Sequence, residues 1–521
     1  MGSPLQTLFL WLTRRVCGLT LVLTVILSIR VIANEATLSR ELSPDSNLKL
    51  IRASSIWTSV FAFYSLFWHA LTAVFYMRVC WALVDVTSSL AAGLVNDDSD
   101  TAVQKYGRVS ERDGIVHAIV IPNYKEEMQT LRETLIVLAS HSRARQSYDV
   151  YLAMEGREAD ASSKASSLVD SFSARFRSLS YTLHPPDIPG EHPSKGSNVA
   201  WAVRKLSERY DVSIRKYVIV TIADSDTLFS PRHFRSLTDL HRSHPKTAST
   251  TIYPAPMIFD RNADQISGPV RLTDIFWTGI ALSGYHRGSV IAPTFSAYSI
   301  PLVLIDRAGG WDVDGESMGE DIHIFIKCFF ALNGNLNVKI VRCAFSSVNA
   351  VGDGTMGGDM KASHEKLDPP DWIRLLLLWH RLLELYLMPV SLCMTIANFL
   401  LLSIWQGEPP THLRWIFTMC SILGAAGIFG LFGNIFFYSR YHELCVHSRE
   451  EEMRQAGLLN MTRFSRRSPW ADLSDLCFAP IVVVVYGVLP TVHATMMHFW
   501  TLNLNWVVTK KHPDTKEAKE D

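Results

Sequence analysis

An α/β domain set between α-helical membrane segments is the fold class that this 521-residue sequence predicts. Three observations predict it. Apolar residues make up 48% of the chain, and they crowd toward its two ends rather than spreading evenly. A polar stretch, with Asp97, Asp98, Asp100, Lys105, Arg108, Glu111 and Arg112, closes off the first apolar block. Beyond it, short β-branched runs alternate with helical ones, the pattern of a parallel sheet covered by helices on both faces. Lys plus Arg and Asp plus Glu each number 50, and this balance gives no reason to expect a nucleic acid or polyanion partner.

The first apolar run, Val16 to Ala33, follows Arg14 and Arg15. Its length, Arg30 near its end and the lack of a small-x-small cleavage site favour a retained membrane helix over a cleaved signal peptide. Ile56 to Val86, rich in aromatic residues, is long enough to span with tilt. In the α/β segment the strands expected are Val116 to Ile121, Val150 to Met154 and Tyr217 to Ile222, with helices over Met128 to Ser140 and Ser162 to Arg175. After Pro369 and Pro370, Trp372 to Leu387 mixes leucines with Arg374, His380, Arg381 and Glu384, as an interfacial helix does. Apolar runs follow at Leu387 to Trp405, Ile416 to Tyr438 and Phe478 to Trp506.

A charged loop with Arg440, Arg449, Arg454, Arg463, Arg466 and Arg467 separates the last two runs. The positive-inside rule puts it, the Arg14–Arg15 end and the α/β domain in the cytoplasm. The count is five spans. It becomes six if Pro480 and Pro490 break the last run into a hairpin that returns Lys510 and Lys511 to the cytoplasm. The divisions expected are therefore two membrane helices over 1–94, the α/β domain over 95–370, the interfacial helix over 371–386, further membrane helices over 387–508 and a polar tail over 509–521. The sequon Asn460-Met461-Thr462 is then unused. The eight cysteines show no C-x-x-C spacing and are expected to be small buried hydrophobes.

Three features carry chemistry. The first strand ends in Pro122-Asn123-Tyr124-Lys125-Glu126, a polar turn at the carboxyl edge of the sheet, where nucleotides bind. The strand Tyr217 to Ile222 runs into Asp224-Ser225-Asp226. Two carboxylates one residue apart at a strand end suit a hard divalent ion, Mg2+ or Mn2+, that neutralises a diphosphate. Gly319-Glu320-Asp321 stands just ahead of a helix over Ile322 to Leu332, with Gly309-Gly310-Trp311-Asp312 before it. A carboxylate there is placed to take a proton from an attacking hydroxyl, although the same residue also suits a helix cap.

The order of these pieces resembles glycosyltransferase family 2, the GT-A family that includes cellulose, chitin and hyaluronan synthases. The resemblance covers residues 114 to 387, and the flanking helices suit the membrane-bound branch. It implies a GT-A domain with a Rossmann-like mixed sheet, in which Pro122, Asn123 and Glu126 line the nucleotide pocket. Glu155 stands where the family often has an Asp near the base. Lys195 and Gly196, in Lys195-Gly196-Ser197-Asn198, match its Lys-Gly segment. Asp224 and Asp226 match the metal-binding Asp-x-Asp, and Asp321 the general base, with Glu320 beside it.

One segment departs from the family pattern. Polymer-forming members carry Gln-x-x-Arg-Trp on the interfacial helix, where this chain has Leu378-Trp379-His380-Arg381-Leu382. Arg381 keeps the cation for the diphosphate, while Trp379 and His380 are the acceptor-side candidates. Val351 to Asp359 is a candidate lid, and His286 and Arg287 read as structural.

The resemblance implies an inverting transfer from a nucleoside diphosphate sugar, with UDP the expected nucleotide. The acceptor is a glycan or a lipid at the bilayer, and both polymer synthesis and single transfer stay open. A multi-pass protein of the plasma membrane or a Golgi-type endomembrane is expected. A transporter would not explain the ordered carboxylate motifs. An inactive scaffold of the same fold would not need Asp224, Asp226 and Asp321.

Overall fold

The computed structural model describes residues 8, 11–12, 15–40, 47–97, 114–189, 191, 194–311, 319–348, 371–404 and 411–500. The expected polar linker from Asp98, the lid candidate Val351 to Asp359, Asp312, and Lys510 with Lys511 lie outside them. The chain divides into two compact units. One comprises Met1–Trp81, Trp379–Phe437 and Trp470–Val508, and the other Ala82–Leu378, Tyr438–Pro469 and Thr509–Asp521.

The first unit is helical. Helices α1 (Val16–Arg40) and α2 (Asn47–Asp97) come from the amino-terminal block, α2 running on into the second unit. Four described helices are long and apolar enough to cross a membrane: Val16–Ala33, Ile56–Gly93, Arg414–Gln455 and Leu473–Met497. The number becomes five if the bent pair Trp372–Leu385 and Val390–Asn398 is taken as one span. Leu27, Val31, Phe61, Ile416 and Phe417 form one apolar cluster of this unit, and Cys17, Trp68, Leu387, Val390 and Met394 another. Glycines recur every third residue from Gly424 to Gly433. A Cβ on Gly430 would stand 2.6 Å from the Tyr76 Cβ, and one on Gly427 would stand 3.4 Å from Thr72. This stripe lets two helix backbones pack side by side without intervening side chains.

In the second unit, α3 (Met128–Ser140), α4 (Ala161–Phe172), α5 (Lys195–Arg209), α6 (Pro231–Ser243) and α7 (Gly268–Leu282) surround a seven-stranded sheet. Its strands are β1 (Val116–Asn123), β2 (Tyr148–Glu155), β3 (Ser178–His184), β4 (Val218–Ile222), β5 (Thr251–Pro254), β7 (Tyr298–Pro301) and β8 (Asn337–Val338), in the order β3-β2-β1-β4-β7-β5-β8. Strands β6 (Met257–Phe259) and β9 (Phe345–Ser347) pair separately.

The first four strands are parallel, with Ile119 opposite both Val150 and Thr221. β2 and β4 are buried throughout, and only one residue of β1 is half-exposed, so they read in the sequence as continuous apolar runs. Strand β7 runs antiparallel to β4 and β5. The sheet is therefore mixed rather than purely parallel, and the combination of a mixed α/β sheet with long apolar helices is the fold class the sequence predicts. Short helices α8 (Leu302–Arg307) and α9 (Glu320–Ala331) complete this part.

Three carboxyl-terminal stretches add to the expectation or differ from it. The interfacial segment and the apolar run after it are one helical stretch, α10 (Trp372–Ile404), bent by 64° between Leu385 and Val390. Arg440, Arg449 and Arg454, expected in a loop, lie on α11 (Arg414–Gln455). The strong helix formers from Glu450 to Gln455 carry the helix past its apolar part. It stops where Gly457 turns to a φ of 71° and the Leu458 N–H reaches back to the Met453 carbonyl at 2.8 Å. Finally, α12 (Pro469–Val482) and α13 (Leu489–Met497) are joined by a π-helical turn, Val483–Val488, so Pro480 and Pro490 are absorbed in one helical run. None of the eight cysteines forms a disulfide, and six of them are buried.

Candidate active site

The carboxyl edge of β1, β2 and β4 gathers most of the residues singled out in the sequence. At the end of β1, Pro122 and Asn123 are buried, and Asn123 Nδ2 donates to Glu158 Oε2 at 2.9 Å. The same oxygen accepts the Lys125 N–H at 2.8 Å, with Lys125 in the left-handed region at a φ of 59°. Lys164 pairs with the other Glu158 oxygen and also donates to the Glu126 carbonyl at 2.9 Å. Glu158 thus anchors the turn that holds three of the predicted pocket residues.

Glu155, at the end of β2, accepts from His184 Nδ1 and Arg157 Nε, each at 3.2 Å. Burial alone would raise its pKa, but these two partners hold it below the ordinary carboxylate value. Arg157 also lies over the Tyr124 ring, 4.7 Å from its centre. A Cβ on Gly156 would meet the His184 carbonyl at 2.6 Å, so only glycine fits between these strands.

Lys195 opens α5 behind an N-capping box formed by Ser194 and Ser197. Its ammonium lies 2.7 Å from Asp224 Oδ1 and 2.7 Å from Glu320 Oε1. Burial opposes its charge. The carboxylates of Asp224, Glu320 and Asp321 together outweigh that and raise its pKa, so Lys195 is a fixed cation. Gly196 matters for the approach, since a Cβ there would stand 3.2 Å from the Glu320 Cβ.

Glu320 and Asp321 occupy the first turn of α9. Glu320 is 7% exposed, and burial pushes its pKa up to about 7 against the pull of Lys195. Asp321 accepts the Ser296 N–H on Oδ2 and the Ile322 N–H on Oδ1, each at 2.9 Å, while Thr294 Oγ1 donates to its carbonyl. Ser296 adopts a φ of 54° at this contact. Burial still raises the Asp321 pKa above its ordinary value, which makes its carboxylate a stronger base.

The two aspartates after β4 face different surroundings. The Asp224 side chain is 28% exposed and touches Lys195. Asp226 is 1% exposed, and its Oδ2 accepts from Ser347 Oγ at 3.1 Å and from the Val348 N–H at 2.9 Å. The turn is further held by Arg261 Nη1, which donates to the Asp226 carbonyl at 2.9 Å, and by Thr134 Oγ1, which donates to the Ser225 carbonyl at 2.7 Å. Next to Ser347 on β9, Ser346 Oγ donates to Asp260 Oδ1 at 2.5 Å, and Asp260 Oδ2 accepts from Arg449 Nε at 2.7 Å.

Among the described residues no group of three or more His, Cys, Asp or Glu side chains gathers as a metal site. A small hard cation that keeps its waters and takes phosphate oxygens needs only one or two carboxylates. Asp224 fits that role in exchange for Lys195, and the Ser347 and Val348 contacts of Asp226 both fall on its Oδ2.

The structure therefore brings Lys195, Gly196, Asp224, Glu320 and Asp321 together, with Pro122, Asn123, Glu126 and Glu155 along the same sheet edge. Trp379, His380 and Arg381 belong to the helical unit. There Arg381 is buried and donates to Glu384 at 2.7 Å, and Glu384 also pairs with Arg78. The Arg287 N–H donates to Asp85 Oδ2 at 2.7 Å, and its guanidinium pairs with the same carboxylate at 3.1 Å.

Sequence reasoning missed Glu158, Ser296, the Ser347–Val348 pair and Tyr298. The Tyr298 hydroxyl is buried with no hydrogen-bond partner among the described residues, and its ring stacks on Trp311 at 6.2 Å. Burial and then the charges of Glu320, Asp321 and Asp224 raise its pKa. Only Glu158, an acid three residues past the end of β2, left any signal in the sequence.

No family model matches the sequence, and no curated protein matches it. Some solved structures are similar at low identity. A mannosyltransferase from Pyrobaculum calidifontis, solved with GDP-Man and Mn2+, is 11% identical over 82% of this chain and 96% of its own, at a TM-score of 0.31. Glucosyl-3-phosphoglycerate synthase from Mycobacterium tuberculosis, solved with Mg2+ and uridine diphosphate, is 17% identical over 47% of this chain and 74% of its own, at 0.28. TarS from S. aureus is 9% identical over 73% of this chain and 55% of its own, at 0.30. The fold class rests on the sheet order described above.

Proposed function

We propose that the chain is an inverting, metal-dependent glycosyltransferase of the GT-A, family 2 type. It moves a sugar from a UDP-sugar to a glycan or lipid acceptor at a membrane, with its α/β unit in the cytoplasm. The observation that carries this reading is the cluster in which Lys195 stands 2.7 Å from both Asp224 and Glu320, beside Asp321. It sets a fixed cation, an exchangeable carboxylate and a basic carboxylate at one sheet edge, as transfer from a diphosphate requires.

Pro122, Asn123 and Glu126 would border the nucleotide, with Glu158 fixing their turn and Glu155 stiffening the next strand. Lys195 would turn from Asp224 toward the diphosphate. Asp224, with Asp226 across the turn, would hold Mg2+ or Mn2+, which neutralises the leaving diphosphate. Asp321 would accept the proton of the acceptor hydroxyl as its oxygen bonds to the anomeric carbon. The bond from that carbon to the diphosphate then breaks on the opposite face, and the nucleoside diphosphate leaves with the electron pair. The two backbone N–H groups on Asp321 keep its carboxylate aimed, and burial keeps it basic. Arg381 is the further cation proposed for the diphosphate, and Trp379 and His380 are proposed for the acceptor side.

The test is nucleoside diphosphate release by the purified full chain across a panel of sugar nucleotides with Mg2+ or Mn2+. Release with at least one donor is expected, and Asp321→Asn should lower it by about 10²- to 10⁴-fold while donor binding persists. Undiminished release by that variant would sink the base assignment. No release with any donor would overturn the reading as a whole. Sizing the product separates polymer synthesis from single transfer.

A further inference from the structure

A cavity of about 720 Å3 opens within the α/β unit, lined by residues that the proposed chemistry does not use. Helix α6 turns Arg232, Arg235, Asp239 and Arg242 into it, at spacings of three, four and three that share one helix face. Arg342 and Arg449 enter from other segments, so five arginines stand against two carboxylates, Asp239 and Glu452. Much of the remaining wall is apolar, with Leu90, Leu240, Ile258 and Leu444.

Some of this charge is already matched. Arg232 pairs with Glu452 at 3.2 Å, Arg449 with Asp260 at 2.7 Å and Arg342 with Asp85 at 3.5 Å. Arg235 has no carboxylate partner among the described residues, and with Asp85 and Asp260 counted beside Asp239 and Glu452 the five arginines keep an excess of one positive charge. Guanidinium groups beside an apolar wall favour a phosphate, which they bind through paired N–H groups. The apolar wall in turn favours an occupant with a hydrocarbon part, and the volume suits a small amphiphile. Two wall segments continue helices apolar enough to cross a membrane. Gly93 ends the candidate span Ile56–Gly93, and Leu444 lies on Arg414–Gln455.

We propose that this cavity binds an anionic phospholipid, with its phosphate on the α6 arginines and an acyl chain along Leu90, Leu240 and Leu444. The site is separate from the proposed donor pocket, and its test does not depend on sugar transfer.

The full chain, purified in a neutral detergent, is titrated with short-chain phosphatidylglycerol, with phosphatidylcholine of equal chain length and with inorganic phosphate. Binding is read by native mass spectrometry. Phosphatidylglycerol should bind about tenfold more tightly than phosphatidylcholine, and Arg235→Gln should remove about that factor. Arg235 is exposed, so this variant keeps the fold. Gly93→Phe fills the apolar end from a position where an added Cβ meets nothing within 4 Å, and it should weaken both lipids. Equal affinity for the two lipids would overturn the proposal, as would affinities unchanged in both variants. Inorganic phosphate binding as tightly as phosphatidylglycerol would make the cavity a free-phosphate site and overturn the lipid assignment.

Discussion

Replacing Lys195 by Met keeps the long apolar stem and removes the charge between Asp224 and Glu320. Both contacts are 2.7 Å. A hydrogen bond to a charged group contributes about 1.5–3 kcal/mol. Asp224 is partly exposed and regains water, so its share falls toward zero, while buried Glu320 cannot do the same. The loss at neutral pH is therefore about 2 kcal/mol, and its pH dependence is the sharper test. The folded-state pKa of Glu320 is pushed up to about 7 from an ordinary value of 4.5. The folded chain thus binds this proton more tightly than the unfolded chain. Stability falls as pH rises between those values and levels off above about 7.

In the variant the chief influence holding that pKa down is gone, so the fall continues above pH 7 at about 1.4 kcal/mol per pH unit. The raised pKa of Lys195 itself contributes stability that is lost only above its ordinary 10.5, outside this range. Thermal midpoints of the purified full chain in chelator, from about pH 6 to about pH 8.5, should show a gap between parent and variant that opens above neutrality. A gap that stays constant, or narrows as pH rises, would refute the claim that Lys195 balances Glu320.

Asp226→Asn keeps one oxygen to accept from Ser347 and Val348 but removes the charge. If Asp226 ligates the ion, the Mg2+ or Mn2+ concentration for half-maximal diphosphate release rises by about tenfold or more, and if it only braces the turn, that concentration is unchanged. Glu158→Ala frees Asn123, the Lys125 N–H and Lys164 together, so KM for the donor should rise about tenfold with a smaller change in kcat, read in the same release assay. Gly430→Leu drives a side chain into Tyr76, where a Cβ alone already stands 2.6 Å away. It should cost about 1–3 kcal/mol, read as a lower thermal midpoint in detergent.

What the sequence made legible follows physical lines. β1, β2 and β4 are buried parallel strands, so their apolar runs stand out. β5, β7 and β8 are four, four and two residues long and left no comparable run. The antiparallel insertion of β7 is set by tertiary pairing with β4 and β5. The same division holds at the site. Lys195, Asp224 and Glu320 are far apart in the chain and were joined only through the resemblance of their order to a known pattern. Their supports, Ser296, Ser347 and Val348, act mainly through backbone groups or a small hydroxyl, which leave no mark in composition. The arginines past Tyr438 read as loop because charge ended the apolar run, yet the residues there are good helix formers.

Strand β9 is only three residues long, yet two adjacent serines on it serve different neighbours. Ser347 holds the Asp226 carboxylate, while Ser346 holds Asp260 and through it Arg449, one of the arginines lining the cavity. The two hydroxyls that hold Asp226 and Asp260 are therefore one residue apart on the same strand. If a ligand in the cavity changes the affinity of the Asp224–Asp226 turn for a sugar nucleotide, the nucleotide changes the cavity's affinity by the same factor. Comparing lipid affinity with and without a bound sugar nucleotide measures whether strand β9 links the two sites.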